Sequence, residues 1–164
     1  MRVAIDHLFA NLSCEAYEAL YFDEAFNVAL GQALQMGRQL VKLERTDDRI
    51  VRHTCFEPRR DPNTPAGQAF GTTRASFVEE LEYDRRTRRG AWRTIPNLFP
   101  ERVKSAGMIE FAGERGGVRR IVRGDVSVSL FGFGRMVEKM IVAEIEKSYA
   151  SSTAFTERWL ATPR

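Results

Sequence analysis

The feature that most narrows the possible folds is a change of period near residue 131. From about residue 35 to residue 130, apolar residues recur at every second position in segment after segment. Val41 and Leu43 precede the turn residues Asp47–Asp48, and Ile50 to Glu57 returns as the partner strand of a hairpin. Residues 75–86 put Phe77, Leu81 and Tyr83 on one strand face. After the turn Arg86–Gly90, Ala91 to Leu98 carries Trp92, with Pro96 and Pro100 limiting its end. Val103 to Glu114 alternates through Ile109 and Phe111. Gly116–Gly117 turns the chain, and Val118 to Leu130 sets Val118, Val122, Val126, Val128 and Leu130 on one face. Phe131–Gly134 then ends the alternation. Across 135–160 the spacing becomes helical, with Val137, Ile141, Ile145 and Tyr149 in register and Met136, Met140, Phe155 and Trp159 beside them. A helix of this length runs about 39 Å, enough to cross a sheet.

The N-terminal part is read the same way. Residues 2–10 alternate as a strand. Asn11 and Ser13 offer caps for a short helix over 14–21, with Glu15 in its first turn, and Asp23 caps a second helix over 24–34. The order is β-α-α-β-β-β-β-β-β-α, an α+β domain with about seven strands. A run of strands closed by a helix implies a curved antiparallel sheet with helices on one face. The reading is one domain over 1–164, long enough to bury a core without metals or disulfides. Residues 58–73, rich in Pro, Gly and Thr, read as a long loop of the kind that serves as a lid.

Composition removes several classes. At 43% hydrophobic and 29% charged, the chain is ordinary for a globular protein. Cys14 and Cys55 make no metal-ligand pattern and read as free thiols. The N-terminus lacks the apolar core of a signal peptide, and no apolar stretch reaches membrane-spanning length, so a cytoplasmic location is expected. No cofactor is expected, and the sequence specifies no oligomeric state.

The stretch Gly132-Phe133-Gly134-Arg135-Met136-Val137-Glu138-Lys139, followed by Ile141 and ending in Arg158-Trp159-Leu160, together with Trp92 to Pro96, carries a resemblance. With the element order, it resembles the START-like superfamily, the helix-grip or SRPBCC type. Within it, the chain is similar to an uncharacterised bacterial family that has a glycine pair before a helix opening with Glu-Lys, and a final Trp-Leu. Phe133 between the glycines departs from that pattern. The resemblance implies a helix-grip fold with a ligand cavity between sheet and C-terminal helix, and names no substrate. The glycines also have a local reason, since Gly132 and Gly134 permit a positive φ and a close approach where strand becomes helix.

A cavity of that kind suits a hydrophobic small molecule or lipid. Strand parity puts Glu79 on the face of Phe77 and Leu81, and Arg120 on the face of Val118 and Val122. Polar groups at inward positions orient ligands or pair with one another. Candidate ligand-lining residues are therefore His7, Phe77, Glu79, Leu81, Trp92, Ile109, Arg120, Val122, Met136 and Met140. His7 lies on the face of Val3, Ile5 and Phe9, while His53 alternates with Val51 and Cys55. No nucleophile elbow, HExxH motif or P-loop is present, so no catalytic or metal residue is assigned. The alternatives are a cyclase- or hydratase-type enzyme using His7 with Glu79 or another acid in the same cavity, and a protein-interaction module without a ligand. The arginines at 85, 86, 88, 89 and 93 form a basic hairpin that could touch an anionic membrane. With only Trp92 close by, they lack the aromatic interleaving of a nucleic-acid site, and no nucleic-acid partner is expected.

Overall fold

The structure is a computed structural model and describes residues 1–58 and 75–162. The expected loop over 58–73 lies almost wholly outside the described residues. Strand β1 (Arg2–Ala10) is followed by helices α1 (Cys14–Tyr21) and α2 (Glu24–Ala33). Six further strands come next: β2 (Met36–Arg45), β3 (Arg49–Pro58), β4 (Phe77–Asp84), β5 (Arg89–Pro96), β6 (Val103–Glu114) and β7 (Gly117–Val128). Helix α3 (Gly134–Ala161) ends the chain.

The strands form one seven-stranded sheet in the order β1-β7-β6-β5-β4-β3-β2, and every pairing is antiparallel. Sequence neighbours pair throughout β2 to β7, as consecutive strands in a sheet usually do. β1 alone travels, by way of the two short helices, to close the β7 edge. The expected element order is the one found, with a curved sheet and a C-terminal helix across it.

Local chemistry sets the ends of these elements. Ser13 Oγ accepts the Ala16 amide at 3.1 Å, and Asp23 Oδ1 accepts the Phe26 amide at 2.7 Å. Each cap satisfies a donor that the first helical turn leaves without a partner. Gly116 turns the β6–β7 hairpin at φ 93°. Ahead of α3, Gly132 adopts φ 77°, and a side chain on Gly134 would strike the Val128 carbonyl. The α3 entry therefore needs both glycines, one for conformation and one for room. Glu138 ties this entry to the sheet: its carboxylate accepts the Val128 amide at 3.0 Å and pairs with the Met1 ammonium at 3.7 Å.

The core gathers at two places. Under α1, the rings of Phe9, Tyr17, Phe22, Tyr83 and Phe111 pack with centroids 4.8–5.3 Å apart, in stacked, tilted and edge-on contacts. Under the first half of α3, Val3, Val126, Val128 and Val142 form an aliphatic cluster with Ile141 and Ile145. α3 packs chiefly on β7 and β1 and touches α2, where Phe26 meets Phe155 and Trp159.

Candidate functional site

The concave face of the sheet is the candidate site, and register defines it. One transverse row runs Val3, Gly124, Gly107, Trp92, Leu81, Arg52 across β1, β7, β6, β5, β4 and β3. The next row runs Val126, Ser105, Thr94, Glu79, Thr54. Trp92 lies flat because Gly107 and Gly124 leave the floor bare. A Cβ at either would come within 2.8 Å or 2.5 Å of the indole Cζ2.

Two arginines enter this interior. Arg120, 2% exposed, donates to Thr153 Oγ1 at 2.7 Å and to the Tyr17 hydroxyl at 3.4 Å. Its guanidinium carbon lies 5.4 Å from the Phe9 ring centroid and 4.9 Å from that of Tyr149. No carboxylate among the described residues pairs with it. Arg52 donates to the Tyr21 carbonyl at 3.2 Å and reaches Glu79 Oε1 only at 3.5 Å. It sits over the rings of Tyr21 and Phe22.

Burial raises the phenol pKa values around these charges. That of Tyr17 is pushed up to about 12, with Arg120 opposing the rise. That of Tyr149 goes well above the ordinary value through burial first, then through Tyr21 and Glu79. For Arg52, burial works against the charge, yet neighbouring Tyr21 and Glu79 hold its pKa above the ordinary value. Among the described residues, the buried atoms Arg52 Nε, Thr54 Oγ1, Trp92 Nε1, Ser105 Oγ and Arg120 Nε have no hydrogen-bond partner.

Most of the residues expected to line the interior lie on this face. Leu81, Trp92, Ile109, Arg120 and Val122 are buried on it, and Phe77 and Glu79 are half-buried. Met140 is half-buried on α3. Met136 departs from the expectation: it is 54% exposed, in the first turn of α3 before the helix settles onto the sheet. His7 is half-exposed; its Nε2 meets Glu157 Oε1 at 3.0 Å, and its ring meets the edge of Phe9. Glu79 and Arg120 take different partners, since Glu79 accepts from Arg52 while Arg120 donates to Tyr17 and Thr153. Nor do His7 and Glu79 meet, for β7, β6 and β5 lie between their strands. The pairing of His7 with Glu79 is thus not formed, and the carboxylate beside His7 is that of the exposed Glu157.

Arg52, Tyr21, Tyr149, Thr54 and Ser105 were not among the expected residues. For Arg52 a signal existed, since Ile50, Arg52, Thr54 and Phe56 alternate along β3. Val51 is buried on the other face as well, so the alternation through Val51, His53 and Cys55 competes with it. The basic hairpin is largely neutralised by its neighbours. Arg85 pairs with Glu18, Arg88 with Glu15, Arg89 with Glu110 and Arg93 with Glu80.

Two surface hollows lie outside the concave face. One, of about 650 Å³, is lined by Leu12, Ala16, Leu20, Trp159 and Leu160. The other, of about 370 Å³, is lined by Glu15, Glu18, Arg45, Arg85 and Arg88. No helix among the described residues is long and apolar enough to cross a membrane.

The family model described as "Protein of unknown function (DUF2505)" matches residues 10–160, and the chain belongs to that family. No curated protein matches. Among solved structures, the chain is similar to TTHA0849 from Thermus thermophilus, at TM-score 0.64 and 15% identity over 99% of this chain and 100% of that one. It is also similar to Ms6760 from Mycobacterium smegmatis, at TM-score 0.65 and 13% identity over 99% and 93%. A third similar structure is the Zhui aromatase/cyclase from Streptomyces sp. R1128, at TM-score 0.59 and 9% identity over 94% and 91%. At these identities the likeness is one of fold.

Proposed function

We propose that this chain binds a hydrophobic small molecule or lipid between the concave face of its sheet and α3. The observation that carries the reading is the uneven cover of the inner wall. α3 seals β1 and β7, while the apolar side chains of Phe56 on β3, Phe77 on β4 and Met36 and Leu40 on β2 remain half-buried. Apolar surface left partly uncovered on a concave face is the usual lining of a small-molecule site. Each Å² that a guest covers contributes about 25 cal/mol, so a modest guest gains several kcal/mol from contact alone.

The buried polar groups would orient the guest. Similarity in fold to an aromatase/cyclase supports a shared architecture, and binding without chemistry is the reading kept here. Titration with Nile red, a neutral apolar dye, tests it. Uptake with a blue-shifted emission, weakened about tenfold by Phe77→Asp, is the expected result. A protein that takes up no dye and yields no small molecule on organic extraction would sink the reading.

A further inference from the structure

We propose that the guest is an apolar acid whose anionic head is received by Arg52, with its body along the half-buried wall; this rests on the binding reading above. The argument starts from hydrogen-bonding capacity. Among the five unpartnered buried atoms named above, Arg52 Nε, Arg120 Nε and Trp92 Nε1 can only donate. The other two, Thr54 Oγ1 and Ser105 Oγ, can donate as well. The concave face therefore holds a surplus of donors, which calls for acceptor atoms on whatever occupies it.

Charge points the same way. Arg52 and Arg120 bring two formal positive charges to the interior; among the described residues Glu79 faces Arg52, while the buried carboxylate of Glu18 is already paired with Arg85. Buried charges are costly unless paired, so the balance favours a guest with one negative charge. A cation would add to the imbalance, and a neutral molecule would leave it unchanged.

Position singles out Arg52 rather than Arg120. Arg120 is sealed at the α1 end by Tyr17, Thr153, Phe9 and Tyr149. Arg52 sits beside the half-buried Glu79, and its contact with Oε1 is 3.5 Å. An N–H to carboxylate bond is ordinarily about 2.8 Å. A guest carboxylate at ordinary distance would thus hold Arg52 better than Glu79 does. Thr54 stands two residues along the same strand, and Trp92 lies one strand beyond Leu81 in the row of Arg52, so further donors flank the head group.

The test compares cis-parinaric acid, a fluorescent fatty acid, with its methyl ester, which has the same chain without the charge. The acid is expected to bind at least about tenfold more tightly than the ester. Glu79→Gln removes the competing carboxylate and should tighten the acid several-fold relative to the ester. In Arg52→Met/Glu79→Gln, which leaves no lone buried charge at that spot, the preference should vanish. Equal affinities for acid and ester in the unaltered protein, or weaker acid binding in Glu79→Gln, would overturn the anion proposal and leave the binding reading standing. Failure of both probes to bind would overturn the two together.

Discussion

Two halves of one concave face differ in how they are covered. Toward the hairpin end, α1 and the C-terminal turns of α3 close over rings and aliphatic side chains, and Phe9, Tyr83, Phe111 and Val118 are at most 1% exposed. Toward the opposite end, Met36 and Leu40 on β2, Phe56 on β3 and Phe77 on β4 stay partly open, and the neighbouring row is polar. The same sheet thus serves two tasks. One half holds the molecule together, and the other is the face on which the proposed guest would lie. Stability and recognition are therefore expected to separate under mutation.

The largest effect should come from the covered half. Phe111→Ala removes a ring that contacts Tyr17, Tyr21 and Tyr83, and should lower unfolding free energy by about 3–5 kcal/mol in urea titration. Phe77→Ala in the open half should cost less than about 1.5 kcal/mol, since less surface returns to water. Equal losses would break the comparison. Next comes the polar seam of the covered half. Glu18 accepts from the Tyr83 hydroxyl at 3.1 Å and from Arg85 Nε at 2.8 Å. Glu18→Gln keeps the shape but weakens both bonds, and should cost about 1–2 kcal/mol by the same titration.

The smallest effect lies outside both halves and serves as a control. Asp84 accepts the amides of Arg86 and Thr87 in the β4–β5 turn, and these bonds hold its carboxyl pKa below the usual 3.8, the Thr87 amide contributing most. A depressed folded pKa stabilises above the unfolded pKa, and that stabilisation is lost as pH falls through the folded value. The stability difference between the protein and Asp84→Asn should therefore persist at neutral pH and shrink below about pH 4. A difference that stays constant down to about pH 2 would remove this carboxylate from the acid response.

Much of the architecture was legible in the sequence because its signals are local. Ser13 and Asp23 announce helices that begin directly after them, and strict alternation set the strand faces of Phe77, Glu79 and Leu81 and of Val118, Arg120 and Val122. The interior polar groups were harder to read for a physical reason. β3 is buried on parts of both faces, with Val51 and Arg52 at 8% and 6% exposed, so period two does not say which set points inward. In β2 the register shifts between Leu40 and Lys42, which disturbs the alternation on which Val41 and Leu43 were read. Met136 has helical spacing, but spacing alone does not show where along a long helix contact with the sheet begins. The partners of Arg52 and Arg120 come from α1, β4 and α3, and no sequence window contains them together.

The bare floor beneath Trp92 has a consequence for what such a chain can hold. Because Gly107 and Gly124 contribute no side chains, the indole sinks to the level of the backbone, and depth is gained by omission. An alanine at 124 would lift or expel the ring, and a smaller side chain at 92 would deepen the trough. Positions 107 and 124 are closed to side chains by the facing backbone as well, since a Cβ there would strike the carbonyl of Arg123 or Ala106, so Trp92 is the position through which the depth of the proposed binding face is adjustable.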